Sequence, residues 1–371
     1  MALVLSNIDY KVDNQVYLEN INLRFESGSF NVLLGRTLAG KTSLMRIIAG
    51  LDKPSNGIIS MNGRVVNDLS VQNRNVSMVY QQFINYPNMT VAQNIASPLV
   101  VAGCGADEIR GRVERTAELL HIQAFLDRYP SELSGGQQQR CAMARALVKQ
   151  ADIILFDEPL VNLDYKLREA LRTELKSLFA ARDCIAIYAT TEAQEALALG
   201  GYTTLLHQGR VLQTGPARLQ YAQPVTLDAA DLYHEPPLNR FRANVYAGAI
   251  QLQQQSVNVE RSLADNCYQF GIRPDHIKLE PSETTEICLH GIVNLAEISA
   301  SETYLHVSIS DNEESAVAPL NWVIHLPKIQ PLSPQTPIKL YFPVSKLFAF
   351  ETNGKALKYP QTNTEKQLEV G

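Results

Sequence analysis

Gly35-Arg36-Thr37-Leu38-Ala39-Gly40-Lys41-Thr42 has the form G-x-x-x-x-G-K-[ST]. The residues before it, 29–34, form a short apolar run ending at Gly35, which predicts a buried strand. From Lys41 the period changes. Leu44, Ile47 and Ile48 recur at helical spacing and Gly50 supplies a stop. A glycine-rich turn between a strand and a helix aims free backbone N–H groups at one point, and the helix dipole favours an anion there. That chemistry is phosphate binding. Lys41 is expected to reach the β- and γ-phosphates of a nucleotide, Thr42 to ligate Mg²⁺, and Ser43 to touch the α-phosphate.

A second signal lies downstream. Residues 152–156 contain an uninterrupted apolar core, Ile153-Ile154-Leu155-Phe156, which predicts a parallel strand covered on both faces. Asp157-Glu158 closes it, at the strand end where open α/β sheets bind ligands. Asp157 suits Mg²⁺ held through water, and Glu158 suits orientation or deprotonation of an attacking water. Two solvated loop carboxylates are the plainer alternative, but the apolar run before the pair and Pro159 after it weigh against that.

Between these signals stands Leu133-Ser134-Gly135-Gly136-Gln137. Ser134 can cap a helix starting near Gln137, and the two glycines let backbone amides approach a ligand closely. Alone, the stretch reads as an ordinary turn before a helix. Its position between a phosphate loop and an acidic strand end makes it a candidate anion site.

Length and charge bound the rest. At 371 residues the chain exceeds what one core usually serves, so two domains are expected. A net charge of −5 and a pI near 5.9 leave no basic footprint for nucleic acid or for a polybasic membrane anchor. No apolar run approaches the ~20 residues that span a bilayer, and the N-terminus lacks a basic region typical of a signal peptide. The five scattered cysteines have neither disulfide-framework nor metal spacing.

Strand-like and helix-like segments alternate up to about residue 235, with mostly helical character over 88–150, including 108–121 and 137–149. Pro224, Pro236 and Pro237 mark a boundary. Beyond 240, short alternating runs at 244–250, 287–295, 303–309 and 337–342 predict a small antiparallel barrel or sandwich.

The phosphate loop, the 133–137 stretch and the 153–158 strand occur in the order and spacing of ABC-transporter ATPases, which the chain resembles over nearly its whole length. The resemblance implies a P-loop α/β cassette over 1–235, with a mixed-sheet core and a helical subdomain at 88–150. A small all-β, OB-like (TOBE-type) barrel would follow over 240–371. It implies ATP and Mg²⁺ as cofactors. Gly35, Arg36, Thr37, Leu38, Ala39, Gly40, Lys41, Thr42 and Ser43 would then contact nucleotide, and Thr42, Gln81 and Asp157 would hold the metal. Glu158 and Gln81 would be catalytic. Gln81 in Val79-Tyr80-Gln81 matches the glutamine that contacts Mg²⁺ and signals to membrane subunits, and Leu163-Asp164 matches the D-loop. In this family Ser134, Gly135, Gly136 and Gln137 complete the phosphate site of a partner ATPase subunit in a head-to-tail dimer.

Phe270-Gly271-Ile272-Arg273-Pro274-Asp275-His276 resembles a segment in the C-terminal barrel of maltose-importer-type ATPases. Two stretches, 74–87 and 157–165, resemble ATPase subunits of bacterial glycerol importers. The implied function is to energise import of glycerol, or of glycerol 3-phosphate, with two transmembrane permease subunits and, indirectly, a periplasmic or extracellular solute-binding protein. The implied location is the cytoplasmic face of the bacterial inner membrane. Residues 82–94, with Phe83, Ile84, Tyr86 and Met89, would offer the permease docking surface.

Three positions depart from the family pattern. Thr191 stands where a catalytic histidine is usual, Val12 where an aromatic stacks on adenine, and Leu38 where glycine is common. Threonine can bond a phosphate but offers no cationic, two-ended imidazole. Because 133–137 fits fully, these departures lead us to expect pairing with a different, fuller ATPase chain and unequal sites. The alternatives are a homodimeric sugar-importer ATPase and a soluble, non-transport ABC regulatory protein.

Overall fold

A computed structural model of the chain describes residues 1–358 apart from 83, 162–164, 181–182, 253–254, 259–262, 283–285, 300 and 310–319. Contacts divide it into two units, Met1–Ala217 and Arg218–Gly371. This division falls earlier than the expected boundary near 235, because the segment from 218 packs with residues C-terminal to it. Leu227 and Ala230 share a small core with Leu238, Phe348 and Phe350.

The first unit begins β1 (Ala2–Val12), β2 (Gln15–Glu26), β3 (Phe30–Leu34), α1 (Lys41–Ala49), β4 (Asn56–Met61), β5 (Arg64–Val65) and β6 (Val76–Val79). Then come α2 (Val91–Val101), α3 (Ala106–Leu119), α4 (Gly135–Val148) and β7 (Ile153–Asp157). It closes with α5 (Tyr165–Ala180), β8 (Ile185–Thr190), α6 (Ala193–Leu199), β9 (Tyr202–His207) and β10 (Arg210–Pro216).

One antiparallel sheet has the order β2-β1-β4-β5. Asp13 and Asn14 turn β1 into β2 with φ of 47° and 66°, a left-handed pair that suits the twist of a two-residue hairpin. The other sheet has the order β10-β9-β3-β8-β7-β6, with β10 alone antiparallel to its neighbour. β7 and β8 are buried throughout, as a strand covered on both faces must be. α1 buries Leu44, Met45, Ile47 and Ile48 in a core that takes residues from both sheets, each such side chain contributing ~1.5–3 kcal/mol. The loop preceding α1 is therefore anchored from below.

Within 88–150 the helical expectation resolves into α2, α3 and α4, with short 3-10 turns at Gln123–Phe125 and Pro130–Glu132. Thr90 and Gln93 form a reciprocal capping box at the start of α2. The fully buried Asn94 side chain bonds Tyr86 N (2.8 Å), Tyr86 O (3.1 Å) and Met89 O (3.0 Å), which fixes the turn leading into that helix.

The second unit carries α7 (Ala217–Ala222), which starts at the division, α8 (Leu227–Leu232), β11 (Asn239–Tyr246), β12 (Ala249–Leu252), β13 (Gln255–Asn258) and β14 (Asn266–Ile272). β15 (Glu286–Ile298), β16 (Thr303–Ile309), β17 (Leu320–Leu326), β18 (Pro337–Pro343), β19 (Phe348–Phe350) and β20 (Ala356–Lys358) complete it. They build two antiparallel sheets, β13-β12-β11-β14-β19-β20 and β17-β16-β15-β18, around a shared core that includes Phe241, Phe270, Trp322 and Phe342. The run 244–250, expected as one strand, is instead a hairpin. Ala247 and Gly248 turn it with φ of 48° and 76°, and Asp265 accepts a bond from Ala247 N.

Candidate functional site

Gly35 stands at the end of β3, Gln81 just past β6, Asp157 and Glu158 at the end of β7, and Thr191 just past β8. These parallel strands are neighbours in the order β3-β8-β7-β6, so their carboxyl ends deliver the candidate residues to one edge.

Contacts join them. Lys41 Nζ donates to the carbonyl oxygens of Gly35 (2.7 Å) and Arg36 (3.2 Å) and lies 3.1 Å from Glu158 Oε1. Thr42 Oγ1 donates to Asp157 Oδ1 at 3.1 Å. Gln81 Nε2 donates to Glu158 Oε2 at 3.4 Å. Burial pushes the Asp157 carboxyl above its usual range, while the Thr42 hydroxyl and the Lys41 charge pull the other way. Thr42, Asp157 and the Gln81 amide present hydroxyl, carboxylate and carbonyl oxygens, a hard donor set that fits Mg²⁺. Glu158 has a left-handed backbone, φ 48°, and its N–H donates to Ala189 O. A non-glycine residue held there is strained, and the neighbouring strand holds it in place.

The loop is shaped by close approach. A Cβ on Gly35 would lie 2.5 Å from Leu206 O, and one on Gly40 would lie 2.9 Å from Tyr17 O. Leu38 adopts φ 66° and is 92% exposed. The position demands the left-handed region, which a leucine occupies at a cost of ~1–2 kcal/mol. That is the physical content of its departure from glycine.

Ser134 caps α4, with Ser134 N donating to Gln137 Oε1 (2.9 Å) and Gln137 N to Ser134 Oγ (3.4 Å). The helix therefore starts at Gly135, two residues before the expected start. Around Gly135 a Cβ would meet nothing within 4 Å, so the first turn of α4 is uncovered on that side. Among the described residues no hydrogen bond joins 133–137 to Lys41, Asp157 or Glu158. Val12 ends β1, 40% exposed, paired with Gln15. Asp164, Leu163 and Phe83 lie outside the described residues.

Thr191 occupies a bend, half-buried. Its neighbours are tightly held: Thr190 Oγ1 donates to Glu195 Oε2 (2.5 Å) and accepts from Glu192 N (3.0 Å), and Arg168 Nη1 bonds both oxygens of Glu192 (2.7 and 2.9 Å). Burial raises the Glu195 carboxyl above its ordinary range. The sequence reading missed Glu195 and the Tyr17 backbone beside Gly40, because neither belongs to a spaced motif.

Comparison with known proteins fits this geometry. Residues 18–161 match the family model described as ABC transporter. The sn-glycerol-3-phosphate import ATP-binding protein UgpC of Ruegeria sp. (strain TM1040) is 36% identical over 317 residues, covering 85% of this chain and 89% of that protein. The Fe(3+) ions import ATP-binding protein FbpC of Pasteurella multocida (strain Pm70) is 34% identical, covering 77% of this chain and 83% of that protein. Among solved structures, the dimeric post-hydrolysis state of the ATP-binding cassette MJ0796 bound to ADP and Pi has a TM-score of 0.54 and 30% identity. That alignment covers 58% of this chain and 99% of that one.

The chain belongs to the ABC transporter ATP-binding proteins. It is an ABC importer ATPase, which binds and hydrolyses ATP.

Proposed function

We propose that this chain energises import of a three-carbon polyol, glycerol or sn-glycerol 3-phosphate. The observation that carries the ATPase part is the convergence of Lys41, Gln81, Asp157 and Glu158 at the ends of adjacent strands. The solute reading is supported by relatives named for sn-glycerol-3-phosphate import and by the likeness of 74–87 and 157–165 to glycerol-importer subunits.

In this reading the amides of 35–40 and Lys41 Nζ bind the nucleotide phosphates, with Ser43 alongside. Glu158 accepts a proton from the attacking water, and the Gln81 amide orients that water. Mg²⁺, held by Thr42 and Asp157 with Gln81, would neutralise charge developing on the phosphates. Ser134 to Gln137 serve the phosphate of a partner ATPase subunit, through the N-terminal end of α4.

Two permease subunits would dock near the exposed Ile84, Tyr86 and Met89, close to Gln81, so that a change at Gln81 reaches them. A solute-binding protein would act through those permeases. Among the described residues no helix is long and apolar enough to cross a membrane, and we place the chain on the cytoplasmic face through its permeases. We read the first unit, Met1–Ala217, as the cassette, and 240–371 as a TOBE-type regulatory barrel.

Thr191, Val12 and the strained Leu38 favour a partner that is a different ATPase chain. The chain's own site would then be the weaker of two. Changing the Glu158 equivalent to Gln in each chain of the reconstituted complex in turn tests this, and equal losses would overturn unequal sites.

Uptake of labelled glycerol, glycerol 3-phosphate and Fe(III) by cells lacking this chain tests the solute. Loss of glycerol or glycerol 3-phosphate uptake with iron uptake intact is expected, and selective loss of iron uptake would overturn the assignment.

A further inference from the structure

Arg74 lies between a 3-10 turn (Val71–Asn73) and β6, and is only 1% exposed. Its guanidinium bonds two other segments. Nη1 donates to the carbonyls of Ile47 (2.8 Å) and Ile48 (3.1 Å) in the last turn of α1. Nη2 donates to Asn67 O (3.1 Å), and Nε to Leu69 O (3.2 Å). All four acceptors are main-chain carbonyls, two of them at a helix C-terminus whose dipole favours a cation. Gly50, which caps α1 with φ 81°, leaves room for the guanidinium. A Cβ there would lie 2.8 Å from Arg74 Nε.

The two things Arg74 joins are both functional. α1 carries Lys41 and Thr42 at its far end, about 9–10 Å from the Ile47 and Ile48 carbonyls at 1.5 Å per residue. β6 leads directly to Gln81. Lys41 and Thr42 tie down the N-terminal end of α1, but its C-terminal half otherwise rests on apolar packing, which resists lifting from the core but is non-directional along the helix axis. The forked hydrogen bonds supply the missing direction. Lysine, a point charge with no planar fork, cannot reach α1 and the 67–69 segment together.

We propose that Arg74 is a positioning residue for nucleotide binding: it fixes α1 along its axis against the segment feeding β6, and so sets Lys41 and Thr42 relative to Asp157 and Gln81. This rests on the reading of the phosphate loop as the ATP site.

The test is titration of the full-length protein with a fluorescent ATP analogue and Mg²⁺, comparing wild type, Arg74→Lys, Gly50→Ala and Lys41→Met. Gly50→Ala crowds the guanidinium and, at a left-handed φ, strains the C-terminal cap of α1, so it loosens the same end of the helix without touching the phosphate loop. Arg74→Lys and Gly50→Ala are each expected to raise Kd about tenfold, ~1.4 kcal/mol, at wild-type binding stoichiometry. A merely structural residue would instead lower the stoichiometry, through loss of folded protein, and leave Kd unchanged. That result would overturn the proposal. Should Arg74→Lys fail to fold, Gly50→Ala decides in the same terms. Wild-type affinity in Lys41→Met would overturn the reading of the site itself, and the role of Arg74 with it.

Discussion

Lys41 Nζ lies 3.1 Å from Glu158 Oε1, and both side chains are largely withdrawn from water, at 4% and 15% exposure. The lysine that opens α1 and the carboxylate that ends β7 thus form an ion pair in the middle of the site. Removing one member of such a pair leaves the other charge uncompensated, which is costly where water is excluded. Lys41→Met is therefore expected to lower thermal stability and to weaken ATP binding by about 10- to 100-fold, the loss of charged hydrogen bonds. Calorimetric titration and a melting curve check both, and unchanged ATP affinity would contradict the assignment of Lys41.

Ser134 and Gln137 cap α4 reciprocally. Ser134→Ala should cost about 1 kcal/mol, a Tm decrease of about 2–4 °C. Ser134→Asp separates capping from chemistry. Aspartate caps as well as serine, so Tm should hold, but its charge would oppose a phosphate at the same amides. Reduced turnover of the reconstituted complex at unchanged Tm is the expected signature.

Acid should destabilise the second unit. Arg273 Nε donates to His234 Nε2 at 2.8 Å, so that nitrogen must be unprotonated. Burial first, then the charges of Arg273 and His276, hold His234 down to about 3, and burial holds His276 down to about 4. Unfolded histidine takes up a proton near pH 6.5, whereas these do so only well below it. The unfolded state therefore binds more protons across the window from about 6.5 down to about 3, and stability falls as pH falls through it. Urea midpoints of the full-length protein should drop between about pH 7.5 and about pH 5, and His234→Gln, which still offers an acceptor to Arg273, should flatten the slope. A midpoint independent of pH would contradict this.

The motifs that were legible in the sequence are those where spacing and apolar content act locally. The glycine and Lys-Thr of 35–42, and the apolar run before Asp157-Glu158, predict strand ends and a helix start without tertiary information. Ala247 was not legible as a turn, because its left-handed φ is imposed by strand pairing and by Asp265. Nor was the clamp made by Arg74, whose four acceptors belong to segments up to 27 positions away. A lone arginine before a strand has no periodicity to reveal it. Leu38 could be marked as a departure from a pattern, but only its φ of 66° gives that departure a cost.

In the proposed function the residues gathered around Glu158 hydrolyse ATP. The most direct measurement is single-turnover hydrolysis by the reconstituted complex with Glu158→Gln in this chain, alongside ATP affinity. Near wild-type binding by this chain is expected, with the rate constant at its own site reduced ~100-fold or more, the contribution of a general base. Wild-type single-turnover hydrolysis at this chain's site in Glu158→Gln would contradict it.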